Sequence, residues 1–222
     1  MAAYRDAVEA KDTAAIILAG GAGRRMGGVD KPAVRVGARS MLDSVLDACR
    51  HTAPRVVVGP VRDVPPGVLV ATEEPPGGGP VAAIAAGLAK LDPLLQPSRV
   101  AVLAADLPLL EQGAVGTLEI PLLLPDPDGA MVDGVVFVDD SGRRQLLCGL
   151  WLLVPLRAAL DDLARERADG LTGASMRALV DKLSVAEMKW GNPGPPPWYD
   201  CDTDEDLRQA RKWMRRRNRR ER

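Results

Sequence analysis

The sequence predicts a three-layer α/β/α domain with a mainly parallel sheet. Short apolar runs alternate in the first half with longer segments of helical periodicity, the order expected of βαβ units. These apolar runs are continuous, as in "AAIIL" and "RVVV", which is typical of strands buried on both faces. At 222 residues, the chain fits one domain, residues 1–222. We expect a core of about 13–210, an N-terminal extension (1–12) and a basic C-terminal tail (211–222).

The first half predicts four strands and two helices. In chain order they are strand 14–19, helix 40–50, strands 55–59 and 67–71, helix 80–91 and strand 99–106. Ser40 is a plausible N-cap for the first helix, since its hydroxyl can accept from an unpaired amide. Pro80 falls at the start of the second helix, where its missing N–H costs little.

The second half predicts a strand pair followed by helices. In chain order, strands 134–140 and 144–153 are joined around Ser141 and Gly142, and helices 155–167 and 175–183, a strand within 183–190 and a final helix follow. The segment 191–198 contains four prolines and predicts a loop, because proline lacks the N–H that a helix or central strand needs.

The amino-acid composition limits what can fill the core and which kinds of partner and compartment we expect. Aromatic residues make up only 3%, so Ala, Val and Leu must fill the core. Residues 208–222 hold nine Lys/Arg and one acid, which leaves 20 of the 29 basic and 29 of the 30 acidic residues in 1–207. This tail favours a helix with a solvated basic end over a nucleic-acid site. We expect reduced thiols at Cys49, Cys148 and Cys201 in a cytoplasmic protein without signal peptide or membrane span.

A glycine-rich loop follows the first strand. The stretch "LAGGAGRRMGGVDKPAV", residues 18–34, contains five glycines, two arginines and one lysine. Glycines let backbone amides approach anionic oxygens closely, and Arg and Lys neutralise phosphate charge. Neither GxxxxGK[ST] nor GxGxxG is present in full. A phosphate-binding loop and a flexible turn with surface cations both fit these residues.

The same stretch resembles the signature of the MobA-like NTP transferases, L-A-[GA]-G-x-x-x-R-M-G-x-x-K. "LAGG" and "GGVDK" are most similar to the guanylyltransferases of molybdenum cofactor synthesis, whereas CTP-using relatives commonly have LAAG. The resemblance implies a Rossmann-like nucleotidyltransferase fold. It also implies nucleotide contacts, which we assign at this loop to Leu18, Ala19, Gly20, Gly21, Arg24, Arg25 and Lys31. Arg25 and Lys31 are expected to hold the triphosphate and act in catalysis.

Asp106 ends the strand "RVAVLAAD", where a carboxylate can bind a hard cation or cap the following helix. With Pro108 two residues later it matches the family's C/A-x-D-x-P motif, which implies a catalytic role and Mg²⁺ coordination. "WYDCDTDEDL" resembles the family's last motif. It points to Asp202 as a second metal ligand and Asp200 as a weaker candidate, while Thr203 can simply cap the last helix.

The segment "EEPPGGGPVAAI" resembles the family's second nucleotide loop and also fits a plain strand-to-helix turn. Gly79 allows close backbone approach at a helix start. Glu73 or Glu74 falls near a family acid that contacts the nucleotide, and we assign this contact to Glu74.

The resemblance implies Mg²⁺ as cofactor and GTP and molybdopterin as substrates, with a molybdoenzyme or cofactor-delivery protein as a possible partner. Two positions depart from the family pattern. Gly59 stands where the family often has Asn, so a nucleobase or ribose contact is missing or replaced. Arg143, Arg144 and Gln145 stand near a usual His-Pro pair, and we expect them to meet the phosphate of the acceptor instead. Two alternatives stay open. One is transfer to another phosphorylated acceptor, such as a sugar 1-phosphate or a phospholactate-like acid, or transfer from CTP. The other is a nonenzymatic cofactor-binding chaperone.

Overall fold

The computed structural model describes residues 12–20, 31–61, 63–92, 97–125 and 129–220, with side chains to residue 217. Nine strands are found in these ranges: β1 (Thr13–Leu18), β2 (Arg35–Val36), β3 (Arg39–Ser40), β4 (Arg55–Val58), β5 (Val68–Ala71), β6 (Arg99–Ala104), β7 (Gly134–Val138), β8 (Arg144–Leu152) and β9 (Val185–Lys189). The helices are α1 (Met41–Ala48), α2 (Pro80–Leu88), α3 (Gln112–Thr117), α4 (Ile120–Leu123), α5 (Leu153–Glu166), α6 (Met176–Val180) and α7 (Asp204–Arg220).

Seven strands form the main sheet in the order β5-β4-β1-β6-β8-β7-β9, and β2 and β3 form a separate hairpin. Strand β8 is antiparallel to both of its neighbours, β6 and β7. The other neighbours in the sheet run parallel. The mainly parallel sheet predicted from the continuous apolar runs is therefore confirmed, and β1, β4, β5, β6, β7 and β9 all end at the same edge.

Helices cover both faces of this sheet. The alternating side chains of β1 show the division. Ile16 belongs to a core cluster that includes residues of α2, α5 and α6, whereas Ile17 belongs to a second cluster that includes residues of α1, α3 and α4. The whole of β1 is buried, which explains why its sequence lacks polar alternation.

Both predicted helix starts are confirmed. The Ser40 hydroxyl accepts from the Asp43 amide, and the Asp43 carboxylate accepts from the Ser40 amide, so α1 begins with a capping box. Pro80 occupies the first turn of α2. The final helix α7 continues through the predicted basic tail to Arg220, so no break in secondary structure separates the core from residues 211–220.

A third, smaller cluster docks α7 against the β2–β3 hairpin. It contains Val36, Met41, Cys201, Leu207 and Ala210, all buried. The hairpin follows the glycine-rich loop, and Cys201 precedes α7. This packing brings two segments far apart in sequence to the same end of the sheet.

Candidate active site

The carboxyl ends of β1, β4 and β6 lie side by side and form the floor of the candidate site. Leu18 is in register with Val58 on one side and with Ala104 on the other. Beyond the strands, the Ala19 amide donates to the Val58 carbonyl at 2.8 Å, and the Ala105 amide donates to the Leu18 carbonyl at 3.0 Å. These bonds hold the start of the glycine-rich loop beside the segment that carries Asp106.

Leu18 and Ala19 are buried, and the Leu18 carbonyl and Ala19 amide are engaged in the sheet. Gly20 is exposed and opens the loop. Gly21, Arg24 and Arg25 lie outside the described residues, so their assigned contacts stay predictions.

Lys31 begins a 3₁₀ turn, Lys31–Ala33, and its ammonium lies between two carboxylates. The Nζ atom is 3.4 Å from Asp106 Oδ2, and it also donates to Asp202 Oδ1. Burial of the side chain lowers the Lys31 pKa, but the bond to Asp202 and the charges of Asp106 and Asp202 outweigh it, so the pKa is raised. The lysine therefore stays charged at neutral pH.

The capping of α7 positions Asp202. The Asp206 amide donates to the Thr203 hydroxyl at 3.2 Å. In return, Asp206 Oδ2 accepts from the amides of Thr203 at 2.7 Å and Asp202 at 3.1 Å. The Thr203 cap is confirmed, and the same reciprocal bonding ties the backbone of Asp202. Burial raises the Asp206 pKa, but the hydrogen bonds from Thr203, Tyr199 and Asp202 lower it by more than that rise. The Asp206 pKa is therefore lowered overall.

A third carboxylate, that of Asp200, interacts electrostatically with the same three side chains. Partial desolvation and the carboxylates of Asp106 and Asp202 raise its pKa, and Lys31 opposes that rise. The two carboxylates in contact with one ammonium leave an excess of negative charge, and Asp200 adds to it when ionised. The site is therefore suited to further cations, which would in turn neutralise a polyphosphate.

The residues present fit a magnesium ion. Mg²⁺ in phosphate-transfer sites uses one or two carboxylates, with substrate phosphates and water completing its coordination. Asp106 and Asp202 contact the same ammonium, so their oxygens already converge on one cation. In the ranges that the structure describes, no group of three or more His, Cys, Asp or Glu residues is arranged to hold a metal. A pair of carboxylates is thus the available protein donor set.

The loop after β5 places Glu73, not Glu74, beside the glycine-rich loop. Glu73 is only 8% exposed, and its Oε1 lies 3.6 Å from where a Cβ on Gly20 would stand. The same oxygen accepts from the Gly77 amide at 3.1 Å. Glu74 is exposed and lines a groove with Thr72 and residues of α2. Alternate residues of an extended segment point to opposite sides, which explains why Glu73 and not Glu74 faces Gly20. A nucleotide contact by either residue stays a prediction, and the placement favours Glu73.

Two glycines in this region are required by geometry. Gly79, the residue before α2, has φ +92°, a conformation that side-chain-bearing residues rarely adopt. Gly59 has φ +144°, and a Cβ there would lie 2.8 Å from the backbone of Ala19 and Gly20. The Asn that the family pattern led us to expect here would thus clash with the start of the glycine-rich loop in this conformation. Close packing against the backbone of Ala19 and Gly20 therefore explains why residue 59 is a glycine.

The polar residues near the usual His-Pro position have partners within the β7–β8 hairpin and β9. Arg144 Nε is 2.7 Å from Glu187 Oε1. Gln145 donates to Asp139 at 3.1 Å and to the Arg143 carbonyl at 3.2 Å. The Arg144 and Gln145 side chains thus have protein partners, whereas the Arg143 side chain is exposed. A contact of any of the three residues with the acceptor stays a prediction.

Comparison with known proteins agrees with this geometry. Residues 15–186 match the family model of the MobA-like NTP transferase domain. A molybdenum cofactor guanylyltransferase from Bradyrhizobium sp. (strain ORS 278) is 30% identical over 206 residues, which cover 88% of this chain and 90% of the relative. Another protein of that name, from Rhodopseudomonas palustris (strain BisB5), is 30% identical over a region that covers 89% of this chain and 92% of the length of that protein.

Among solved structures, the fold is similar to 2-C-methyl-D-erythritol 4-phosphate cytidylyltransferase from Thermus thermophilus. The TM-score is 0.63 at 19% identity, and the match covers 90% of this chain and 98% of that one. This likeness supports the predicted Rossmann-like αβα nucleotidyltransferase fold. Within the described ranges, no helix has the length and apolar character needed to cross a membrane. The family match extends over most of the sequence, and the chain therefore belongs to the MobA-like NTP transferase family and is a nucleotidyltransferase.

Proposed function

We propose that this nucleotidyltransferase transfers GMP from GTP to the phosphate of molybdopterin, releases pyrophosphate and requires Mg²⁺. The observation that carries the proposal is the convergence of Lys31, Asp106 and Asp202 on one point at the sheet edge, next to Gly20. The names of the relatives at 30% identity support guanine as the base and the molybdenum cofactor as the acceptor.

The proposed reaction is an in-line substitution at the α-phosphorus of GTP. A phosphate oxygen of molybdopterin forms the new P–O bond, and the bond from the α-phosphorus to the bridging oxygen breaks, so that pyrophosphate leaves with that electron pair. An acceptor phosphate is ionised at neutral pH and needs no general base. Positioning and neutralisation of charge therefore supply the catalysis, as in other phosphoryl transfers.

Lys31 and the two aspartates divide these tasks. Asp106 and Asp202 would hold Mg²⁺, which when bound neutralises charge on the triphosphate. Lys31 is charged and only 17% exposed at its side chain, and it lies on a turn near the end of the glycine-rich loop. Once its carboxylate partners bind the metal, its ammonium is free to turn to phosphate oxygens. Arg25 would add a second cation.

Glu73 supports guanine as the base. The donor edge of guanine offers N1–H and the N2 amino group next to one another, which match the two oxygens of a carboxylate. Cytosine offers one amino group beside a ring nitrogen that accepts, and this nitrogen would repel a carboxylate. Glu73 is buried beside Gly20, and its bond to Gly77 leaves lone pairs for further donors.

The test is mass spectrometry of the products after the purified protein is incubated with GTP, Mg²⁺ and molybdopterin. We expect the guanine dinucleotide form of the cofactor together with pyrophosphate, and no comparable product with CTP or ATP. A cytosine product would contradict the choice of base. Transfer only to a sugar phosphate would contradict the acceptor. No pyrophosphate release with any pair of substrates would favour a nonenzymatic cofactor-binding role.

A further inference from the structure

A cavity of about 630 Å³ lies outside the Lys31 site, between the β7–β8 turn and the segment after β9. Its walls combine two indoles with polar side chains. The lining residues used below are Asp139, Asp140, Lys189, Trp190, Asn192 and Trp198. The volume is in the range of small-molecule sites in proteins.

Aromatic rings are concentrated at this cavity. The chain has one Phe, four Trp and two Tyr, and three of these seven residues form one cluster. The Phe137 ring is fully buried, with its centroid 5.7 Å from that of Trp190 and 5.1 Å from that of Trp198. The two indoles are half-buried, and both line the cavity. Indoles held in this way form flat surfaces on which a conjugated ring can stack.

Polar groups surround the indoles. Asp139 is fixed by its own turn, since its Oδ1 accepts from the amides of Ser141 and Arg143, each at 2.9 Å. Asp140, Lys189 and Asn192 are exposed at the rim. Together these side chains offer acceptors and donors to the edge of a heterocycle that carries amide and amino groups.

The cavity and the Lys31 site open on the same edge of the sheet. Strands β6 and β7 are both antiparallel to β8, which lies between them, so both end at the same edge of the sheet. Two strand spacings, or about 10 Å, separate their carboxyl ends. Trp198 precedes Asp202 by four residues, which fully extended span at most about 14 Å. One elongated molecule can therefore contact both places.

We propose that this cavity binds the flat pyrimidinone part of a fused ring system in the acceptor, with the phosphate arm of the same molecule directed to the Lys31 site. The assignment rests on the proposed function and extends it from the reacting phosphate to the ring. Trp190 and Trp198 form the stacking surface, and Asp140, Lys189 and Asn192 recognise the edge of the ring.

The experiment is a calorimetric titration with 6-hydroxymethylpterin, a planar probe without phosphate, compared with 2-C-methyl-D-erythritol 4-phosphate, a phosphate without an aromatic ring. We expect wild-type protein to bind the pterin. Trp198→Leu should weaken that binding about 5- to 150-fold, the range measured for base–aromatic stacking. The matched control is Trp213→Leu, which removes an indole that contacts Tyr199 outside the cavity lining and should leave the affinity unchanged.

Asn192→Ala provides a second variant, because this exposed residue can be changed without disturbing the packing on Phe137. It should weaken pterin binding while the melting temperature and the Kd for GTP stay at wild-type values. Wild-type pterin affinity in both the Trp198 and Asn192 variants would overturn the assignment, as would a wild-type protein that binds only the erythritol phosphate.

A GMP-transfer assay separates this assignment from the proposed function. Transfer to molybdopterin that is equally efficient in wild type and in Trp198→Leu would overturn the cavity assignment and leave the proposed function intact. Pterin binding that depends on Trp198, in a protein that transfers nothing to molybdopterin, would support the cavity assignment and contradict the proposed function.

Discussion

The position of Lys31 predicts that its ammonium competes with a divalent ion for the same two carboxylates. Replacing Lys31 by Met keeps most of the side-chain volume and removes the charge. Asp106 and Asp202, which now share that ammonium, would then repel one another. We expect Lys31→Met to bind Mg²⁺ or Mn²⁺ more tightly than wild type when no nucleotide is present, although its turnover should fall sharply.

The structure sets the size of this effect. At the 3.4 Å separation of Lys31 and Asp106, the Coulomb attraction is about 1 kcal/mol at the dielectric constant of water and about 5 kcal/mol at an effective value of 20. These side chains are 17% and 22% exposed, which places the attraction between the two limits. Desolvation of the ammonium offsets part of it, and a charged hydrogen bond retains about 1.5–3 kcal/mol. The metal affinity should therefore rise about 10- to 150-fold.

Isothermal titration calorimetry with Mn²⁺, without nucleotide, measures this change directly. Lys90→Met is the matched control, because Lys90 is exposed after α2 and should leave the Mn²⁺ affinity unchanged. A melting curve establishes that the Lys31 variant is folded. An Mn²⁺ affinity in Lys31→Met that equals or falls below the wild-type value would show that the ammonium does not compete with the ion for these carboxylates.

Three further outcomes follow from the site. Glu73→Gln should reduce the preference for GTP over CTP in kcat/KM about 5- to 30-fold, since a neutral amide loses about 1–2 kcal/mol of charge-assisted bonding. Glu74→Gln, at the exposed neighbouring residue, is the control, and equal preference ratios in the two variants would rule out this role of Glu73. Asp106→Asn should remove the Mg²⁺-dependent part of GTP binding in calorimetry, and a wild-type Kd in Mg²⁺ would argue against metal ligation. Thr203→Ala should lower the free energy of unfolding by about 1 kcal/mol, because the reciprocal bonds with Asp206 are lost; unchanged denaturant midpoints would show that this cap contributes nothing to stability.

The parallel part of the sheet could be predicted because its sequence signals are local. Each buried strand is a continuous apolar run. The first helix start carries a capping residue, Ser40, and the second carries Pro80 in its first turn. The short helices α3 and α4 were not predicted. The "QGAVGT" of α3 contains two glycines and the "IPLL" of α4 a proline, which are poor helix formers, and tertiary contacts decide their conformation.

The candidate site was predicted in part. The motif residues Lys31 and Asp106 could be named from the sequence, and the structure places them 3.4 Å apart. The bond from Lys31 to Asp202 joins residues 171 positions apart, and it depends on how α7 docks on the β2–β3 hairpin. Local spacing carries no information about such docking. The choice between Glu73 and Glu74 depends on which side of an extended segment faces Gly20, and the prolines and glycines of this loop obscure that alternation.

We propose that the carboxylates around Lys31 receive the metal of a bound nucleotide while Lys31 itself turns to the phosphates. A crystal structure of the protein with GTP and Mg²⁺, without acceptor, tests this most directly. We expect an ion coordinated by Asp106 and Asp202. We also expect the Lys31 ammonium within about 3.2 Å of a phosphate oxygen, a normal hydrogen-bond distance. A triphosphate bound elsewhere on the protein, with Lys31 still between the two aspartates, would contradict it.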